Sequence, residues 1–435
     1  MSQPCETRPF QGDGVEPGES RSVPLPEGER PPTSASAGEG PLALSPSPLP
    51  VRERVSETDR RPHLERGACE TPPLAEIYLY LAGTCNLRCR HCWIDPGFGT
   101  ESQRFLPWSE LRKIVVQAQE LGLRAVKLTG GEPLMHPEIL DILPGLHQMG
   151  LKLRMESNGT LIGDRQAEVL RETGTDVSIS LDGPTADLHD SLRGVPGAFD
   201  RTLRGVESLT KQGWPPFQII ACLHRGTRPV LADMVRLAED LGVGSLKINV
   251  VNSMGRSAEM ERQGELLSVA EVLDAYRGLM SSLPEGTKLR VFFDVPPAFK
   301  SLAEIRALAG CSCGILTILG ILSTGHASLC GIGERVAALD FGNPLEVGLR
   351  TIWESNPTLL AIRDRLPDAL GGVCGRCVFR RHCMGKCLAH NFWATGDLFA
   401  GFQFCQQALD AGLFPAKRLL RPRGQPEAGA REVVP

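Results

Sequence analysis

Ile77-Tyr78-Leu79-Tyr80-Leu81 leads into Cys85-Asn86-Leu87-Arg88-Cys89-Arg90-His91-Cys92, an apolar run followed by three cysteines spaced C-x3-C-x2-C. Iron–sulfur loops draw several thiolates from one short segment. Three is the informative number. A four-iron cluster has four irons, so three local thiolates leave one iron open to another ligand. A structural zinc site wants a fourth ligand. His91 could supply it, although a ligand between two cysteines would crowd the loop. A thiol group that holds no metal is the third alternative.

Outward from this loop the chain repeats one pattern. The run 77–81 reads as a buried strand. Leu111, Ile114, Val115 and Ala118 recur at helical spacing over 109–120, and Gly122 stands where a C-cap glycine belongs. Further strands are expected over 125–128, 151–155, 177–181, 217–223 and 245–251, and helices over 137–149, 165–173, 198–212 and 230–241. Six β-α units with short apolar strands predict a parallel sheet covered by helices. Right-handed connections make the sheet doubly wound or curl it into a full or partial barrel. Ligands then gather at the C-terminal ends of the strands, where the cysteine loop lies. Beyond residue 255 the pattern fades to a helix over 266–283, a strand over 289–293, and a hairpin of 315–322 with 327–329.

The 435 residues suffice for one large core or two ordinary ones. A hydrophobic fraction of 41%, a charged fraction of 23% and a net charge of -4 give no footprint for nucleic acid or an anionic membrane. No apolar run is long enough to span a bilayer, and the N-terminus has no secretory h-region. The fourteen cysteines therefore read as metal-binding or reactive thiols in a reducing cytoplasm, not as a disulfide scaffold. Residues 1–72 are rich in Pro, Gly, Ser, Glu and Arg, with Phe10 as their only aromatic residue, and are expected to be disordered. Cys5 and Cys69 there read as free thiols. The expected division is this extension, a barrel over 73–300, a cysteine-rich segment over 301–412 and a polar tail over 413–435.

The loop after the second strand reads Thr129-Gly130-Gly131-Glu132-Pro133. Paired glycines let backbone approach a ligand closely. Together with the cysteine loop, this GGEP segment resembles the radical S-adenosylmethionine enzymes. Further agreement comes from Ser157-Asn158-Gly159, Ser180-Leu181-Asp182-Gly183, His189-Asp190, Arg193-Gly194 and Met254-Gly255-Arg256, over residues 75 to 256. The resemblance implies a [4Fe–4S] cluster on Cys85, Cys89 and Cys92, with S-adenosylmethionine chelating the open iron. It implies that the backbone of Gly130, Gly131, Glu132 and Pro133 holds the cofactor's amino group. Ser180 and Arg193 would hold its carboxylate, with Asn158 nearby. One electron from an external donor would then cleave the cofactor to methionine and a 5′-deoxyadenosyl radical.

The distal cysteines, Cys311, Cys313, Cys330, Cys374, Cys377, Cys383, Cys387 and Cys405, resemble the SPASM extension of that superfamily, which carries two auxiliary [4Fe–4S] clusters. Its pattern implies Cys311, Cys313, Cys330 and Cys387 around one cluster, and Cys374, Cys377, Cys383 and Cys405 around the other. The closeness of Cys311 and Cys313 departs from the pattern; if one of them does not ligate, the first cluster has an open iron. Structural zinc is the alternative that spacing alone allows. Cys222 reads as a small buried hydrophobe or a hydrogen-atom donor in the lumen. Glu156, Lys247, Asn249 and Asp294 are candidate cavity residues.

The complete auxiliary set favours a maturase of a ribosomally made peptide. Sulfatase-maturing enzymes carry an aspartate after the second auxiliary cysteine, whereas here Gly331 follows Cys330, so that activity ranks low. Modification of a small metabolite or tetrapyrrole is the second expectation. A non-catalytic iron–sulfur carrier or a zinc-stabilised scaffold is the third. No leader-recognition module is apparent, which leaves recognition to a separate partner protein.

Overall fold

The computed structural model describes residues 71–99, 104–213, 217–284, 286–307 and 313–420. The expected disorder of the N-terminal extension, and Cys5, Cys69 and Cys311, lie outside the described residues.

The chain alternates strands and helices: β1 (Glu76–Ala82), α1 (Trp108–Gln119), β2 (Ala125–Gly130), α2 (Ile139–Gln148), β3 (Lys152–Ser157), α3 (Asp164–Glu172), β4 (Asp176–Ser180), α4 (Ala186–Arg193), α5 (Ala198–Lys211), β5 (Gln218–Leu223), α6 (Leu231–Asp240) and β6 (Ser245–Val250). Next come α7 (Ser257–Arg262), α8 (Val269–Ser282), β7 (Arg290–Phe293), β8 (Ile318–Ile321) and β9 (Ala327–Ser328). One sheet of nine strands runs in the order β9-β8-β1-β2-β3-β4-β5-β6-β7. Every neighbouring pair is parallel except β8 with β9. The two edges do not pair, so the sheet is an open, partial barrel.

Alternation along each strand explains the layering. Leu79, Leu128, Met155 and Val177 are register partners in succession and are buried on the helix-covered side. The alternate residues are polar and face inward: Tyr78 pairs with Lys127, and Lys127 with Arg154. Each buried aliphatic side chain of the outer layer contributes about 1.5–3 kcal/mol relative to exposure. Helix α1 fits this layer because Leu111, Ile114, Val115 and Ala118 all fall on its buried side.

Two features differ from the sequence expectation. Helix α4 was not foreseen, because its buried residues are His189, Leu192 and Arg193, of which only one is apolar. Hydropathy periodicity does not register a face that buries ion pairs. The expected hairpin forms, β8 with β9, and the second difference is what it joins. Strand β8 pairs in parallel with β1, through Glu76↔Ile318 and Leu79↔Ile321, so backbone hydrogen bonds join the segment beyond residue 301 to the barrel sheet.

Candidate cluster and cofactor site

The cysteine loop leaves β1 at the C-terminal mouth and is strapped down from three sides. Thr84 Oγ1 donates to the carbonyls of Gly97 at 3.2 Å and Gly99 at 2.5 Å. The C-terminal end of α4 accepts from the loop backbone, Arg88 N to Arg193 O at 3.1 Å and Arg90 N to Leu192 O at 2.9 Å. The segment after β6 closes the third side, with Arg256 N donating to Cys92 O at 2.9 Å. Gly255 and Gly194 permit these approaches: a Cβ on Gly255 would meet Cys92 O at 2.6 Å, and one on Gly194 would meet Arg88 O at 2.5 Å. Both glycines also hold positive φ, which L side chains disfavour.

Within the loop, Cys85 (8% exposed) and Cys89 (7%) form a small buried group with Leu87 and Ala198, and Cys92 packs against it. Burial, with Glu132 and Cys89 behind it, pushes the Cys85 thiol up to about 12. A metal centre that takes up thiolate removes that penalty. Leu87 N donates to Cys85 Sγ at 3.4 Å, the kind of backbone contact that stabilises cluster sulfurs.

The GGEP segment is tied to the same loop. Gly131 N donates to Ala82 O at 2.8 Å and Glu132 N to Thr84 O at 3.0 Å. The Glu132 side chain (1% exposed) accepts from Leu134 N at 3.1 Å, Ser157 Oγ at 2.9 Å and Asn158 N at 2.8 Å. It is therefore an internal anchor, leaving the backbone as the ligand-facing part of the segment. Asn158 Nδ2 donates to Asn86 Oδ1 at 2.8 Å and lies 3.9 Å from Cys85 Sγ, so β3 reaches the cysteine loop through Asn158. Ser180, half-buried, ends β4, the strand that pairs with β3.

Arg193 has partners the sequence did not indicate. Its Nε lies 2.6 Å from Asp182 Oδ2, and its Nη1 donates to Cys89 Sγ at 3.6 Å. Burial pushes the Asp182 carboxyl up, but the guanidinium outweighs it and holds the group at about 2. Asp182 Oδ1 accepts from Cys222 N at 2.8 Å, and Asp182 N donates to His189 Nδ1 at 3.1 Å. Among the described residues, His91, Asp182 and Cys222 are the one His/Cys/Asp/Glu trio whose ligand atoms all lie within 4.8 Å of one another. Asp182 is already paired to Arg193 and bonded to Cys222 N, so its carboxylate is not a free ligand.

That spacing bears on zinc. A tetrahedral zinc with Zn–S bonds of about 2.3 Å holds its sulfurs roughly 3.8 Å apart. Among the described residues no three cysteine sulfurs come within 4.8 Å of one another. No three-thiolate zinc arrangement is therefore preformed among them.

The distal thiols separate into two groups. Cys330 is pushed up to about 12 by burial, with Cys387 and Cys313 as neighbouring thiols. Cys383 is pushed up to about 12 by burial, with Cys374 and Cys377 adding to it. Cys374, Cys377, Cys383 and Cys405 line one small cavity with Phe379 and Phe414. Backbone donors again reach sulfur, Phe402 N to Cys374 at 3.2 Å and His390 N to Cys387 at 3.4 Å. Gly331 packs against Tyr80, where a Cβ would meet the ring at 2.2 Å, so no side chain fits after Cys330.

Inside the barrel, Lys247 and Asp294 line a cavity of about 630 Å³ together with Glu76, Arg154 and Lys386. Asp294 pairs with Lys386 at 2.6 Å, and Glu156 with Lys127 at 2.5 Å. Asn249 Oδ1 is buried without a hydrogen-bond partner in the structure. Sequence reasoning missed Asp95, which joins Arg256 at 3.3 Å and Arg335 at 2.7 Å. No local signal could have revealed it, because Arg335 lies 240 residues away.

A mostly parallel partial barrel with a three-cysteine loop at its C-terminal mouth defines a class of iron–sulfur enzymes, and comparison with known proteins agrees. Residues 79–238 match the family model of the radical SAM superfamily. The chain is 30% identical over 344 residues to AdoMet-dependent heme synthase of Oleidesulfovibrio alaskensis, covering 74% of this chain and 84% of that protein. It is 27% identical over 365 residues to mycofactocin maturase MftC of Mycobacterium tuberculosis, covering 82% and 89%. The fold matches Streptococcus suis SuiB bound to precursor peptide SuiA with a TM-score of 0.62 at 18% identity, over 77% of this chain and 76% of that one. The chain belongs to the radical SAM superfamily and is an enzyme. The family uses a [4Fe–4S] cluster and S-adenosylmethionine, and the donor set at the barrel mouth fits both. No helix among the described residues is long and apolar enough to cross a membrane.

Proposed function

We propose that Cys85, Cys89 and Cys92 hold the [4Fe–4S] cluster and that the backbone of Gly130, Gly131, Glu132 and Pro133 receives S-adenosylmethionine, with Ser180 and Asn158 beside it. The carrying observation is the thiol loop strapped to the strand mouth, with Cys85 and Cys89 buried in one small group and Cys92 packed against it. The cluster and S-adenosylmethionine held by these residues would together supply one-electron chemistry that ends in hydrogen-atom abstraction from substrate. The chain's own contribution is orientation. Asn158 and Glu132 fix the two loops against each other, and the sheet and its helices exclude water.

The distal cysteines hold two auxiliary clusters, Cys313, Cys330 and Cys387 with Cys311 at one, and Cys374, Cys377, Cys383 and Cys405 at the other. The substrate is a ribosomally synthesised peptide, presented by a separate recognition protein in the cytoplasm, with an external one-electron donor. Similarity to a mycofactocin maturase over most of both chains supports this reading. A second reading, a small metabolite or tetrapyrrole, is favoured by the heme synthase relative and by the 630 Å³ barrel cavity.

The test is anaerobic. Reconstituted protein reduced with dithionite should form 5′-deoxyadenosine from S-adenosylmethionine, and a precursor peptide from a neighbouring gene should change mass. An unchanged peptide with active cofactor cleavage would favour the second reading. No cleavage by a fully loaded protein would refute the radical reading.

A further inference from the structure

Arg193 is buried, and two of its three nitrogens already face other groups. Only 6% of the residue is exposed, its Nε faces Asp182 Oδ2 at 2.6 Å, and its Nη1 donates to Cys89 Sγ at 3.6 Å. Its own carbonyl accepts from Arg88 N at 3.1 Å, and Gly194 in the left-handed conformation ends α4 against the cysteine loop. A carboxylate clamp needs an open planar fork with two free parallel donors. This guanidinium instead presents its charge to one cysteine of the loop.

Asp182 aims it. The carboxylate is fully buried and held by Cys222 N at 2.8 Å through its other oxygen. His91, His189 and Cys222 also flank the carboxylate, which pairs with the Arg193 guanidinium. His189 is further fixed as an acceptor by Asp182 N and by edge contact with Phe199 at 5.8 Å between centroids.

We propose that Arg193, positioned by Asp182, is a cluster-tuning residue: it hydrogen-bonds the Cys89 thiolate and stabilises the extra electron on the reduced cluster, rather than binding the carboxylate of S-adenosylmethionine. A cation and an N–H donor at a cluster sulfur favour the reduced, more negative state and raise its potential. The burial of the pair makes the effect larger than a surface charge would produce. This inference rests on the reading that Cys85, Cys89 and Cys92 hold a cluster, which iron and sulfide analysis of the unmodified protein checks separately.

The experiment is a dithionite titration followed by electron paramagnetic resonance, without S-adenosylmethionine, in full-length Arg193→Gln and Arg193→Lys protein. The site cluster is identified afterwards by the change in its signal when the cofactor is added. Arg193→Gln should move the midpoint of that cluster to more negative potential, with Arg193→Lys between it and the unmodified protein. The apparent KM for S-adenosylmethionine should change by less than about twofold. An unchanged midpoint in Arg193→Gln with a tenfold or larger rise in KM would overturn the proposal and assign Arg193 to the cofactor carboxylate. If Arg193→Gln fails to assemble the cluster, Arg193→Lys decides: an unmoved midpoint there counts against the proposal, and a negative shift supports it.

Discussion

Gly131→Ala probes how the two loops at the barrel mouth are joined. A Cβ at position 131 would stand 1.8 Å from Thr84 O, and contacts under 3.0 Å are essentially never found for real Cβ atoms. The backbone must therefore move by at least about 1.2 Å, the difference between those distances. That movement breaks Gly131 N to Ala82 O and Glu132 N to Thr84 O, now 2.8 and 3.0 Å. Two backbone hydrogen bonds at about 1 kcal/mol each, with about 1–3 kcal/mol for overpacking, predict a loss of roughly 3–5 kcal/mol. The measurement is anaerobic urea denaturation of reconstituted protein, with iron counted in parallel. Gly278→Ala is the control. Gly278 sits exposed on α8 with nothing within 4 Å of its would-be Cβ, so alanine there should stabilise by roughly 0.5–1 kcal/mol. A Gly131→Ala protein with the unmodified midpoint and full iron content would refute the packing argument.

Cys85→Ala should abolish formation of 5′-deoxyadenosine, whereas Cys374→Ala should retain part of it; equal loss in both would mean that the distal segment is needed for folding. Stability should fall as pH drops from about 6.5 to about 4, because burial lowers the His189 pKa and its Nδ1 accepts from Asp182. The unfolded chain binds that proton first, so the contribution is complete above pH 6.5 and lost below it, about 3 kcal/mol in all. His189→Gln should flatten that part of a denaturation-against-pH curve. Trp353→Phe should cost about 1–2 kcal/mol in urea denaturation, since Trp353 Nε1 donates to Pro72 O at 2.9 Å and Arg363 stacks on the ring at 4.0 Å. An unshifted midpoint would show those contacts to be energetically silent.

The strands and the loop at their mouth were legible because each rests on local order. Runs such as Ile77 to Leu81 are buried on the helix side, so their hydropathy announces them. Helix α4 was not legible, since His189 and Arg193 occupy its buried face and a polar core face looks like a surface. Nor were the neighbours of Arg193 legible: the fold brings it to Asp182 and to Cys89, the latter 104 residues away. Joining β8 to β1 depends on edge backbone groups that no residue type encodes.

By itself, the sequence pointed to the kind of centre and to the loop proposed to hold it. Thiols at C-x3-C-x2-C after a strand, and a glycine pair after the next, are local facts of chemistry and spacing. The tertiary structure alone decided how the loops at the mouth are held: which glycines admit a neighbouring carbonyl, and which carboxylate pairs with Arg193 beside Cys89. Those outcomes depend on distances between segments far apart in the chain, which packing sets and local pattern does not record.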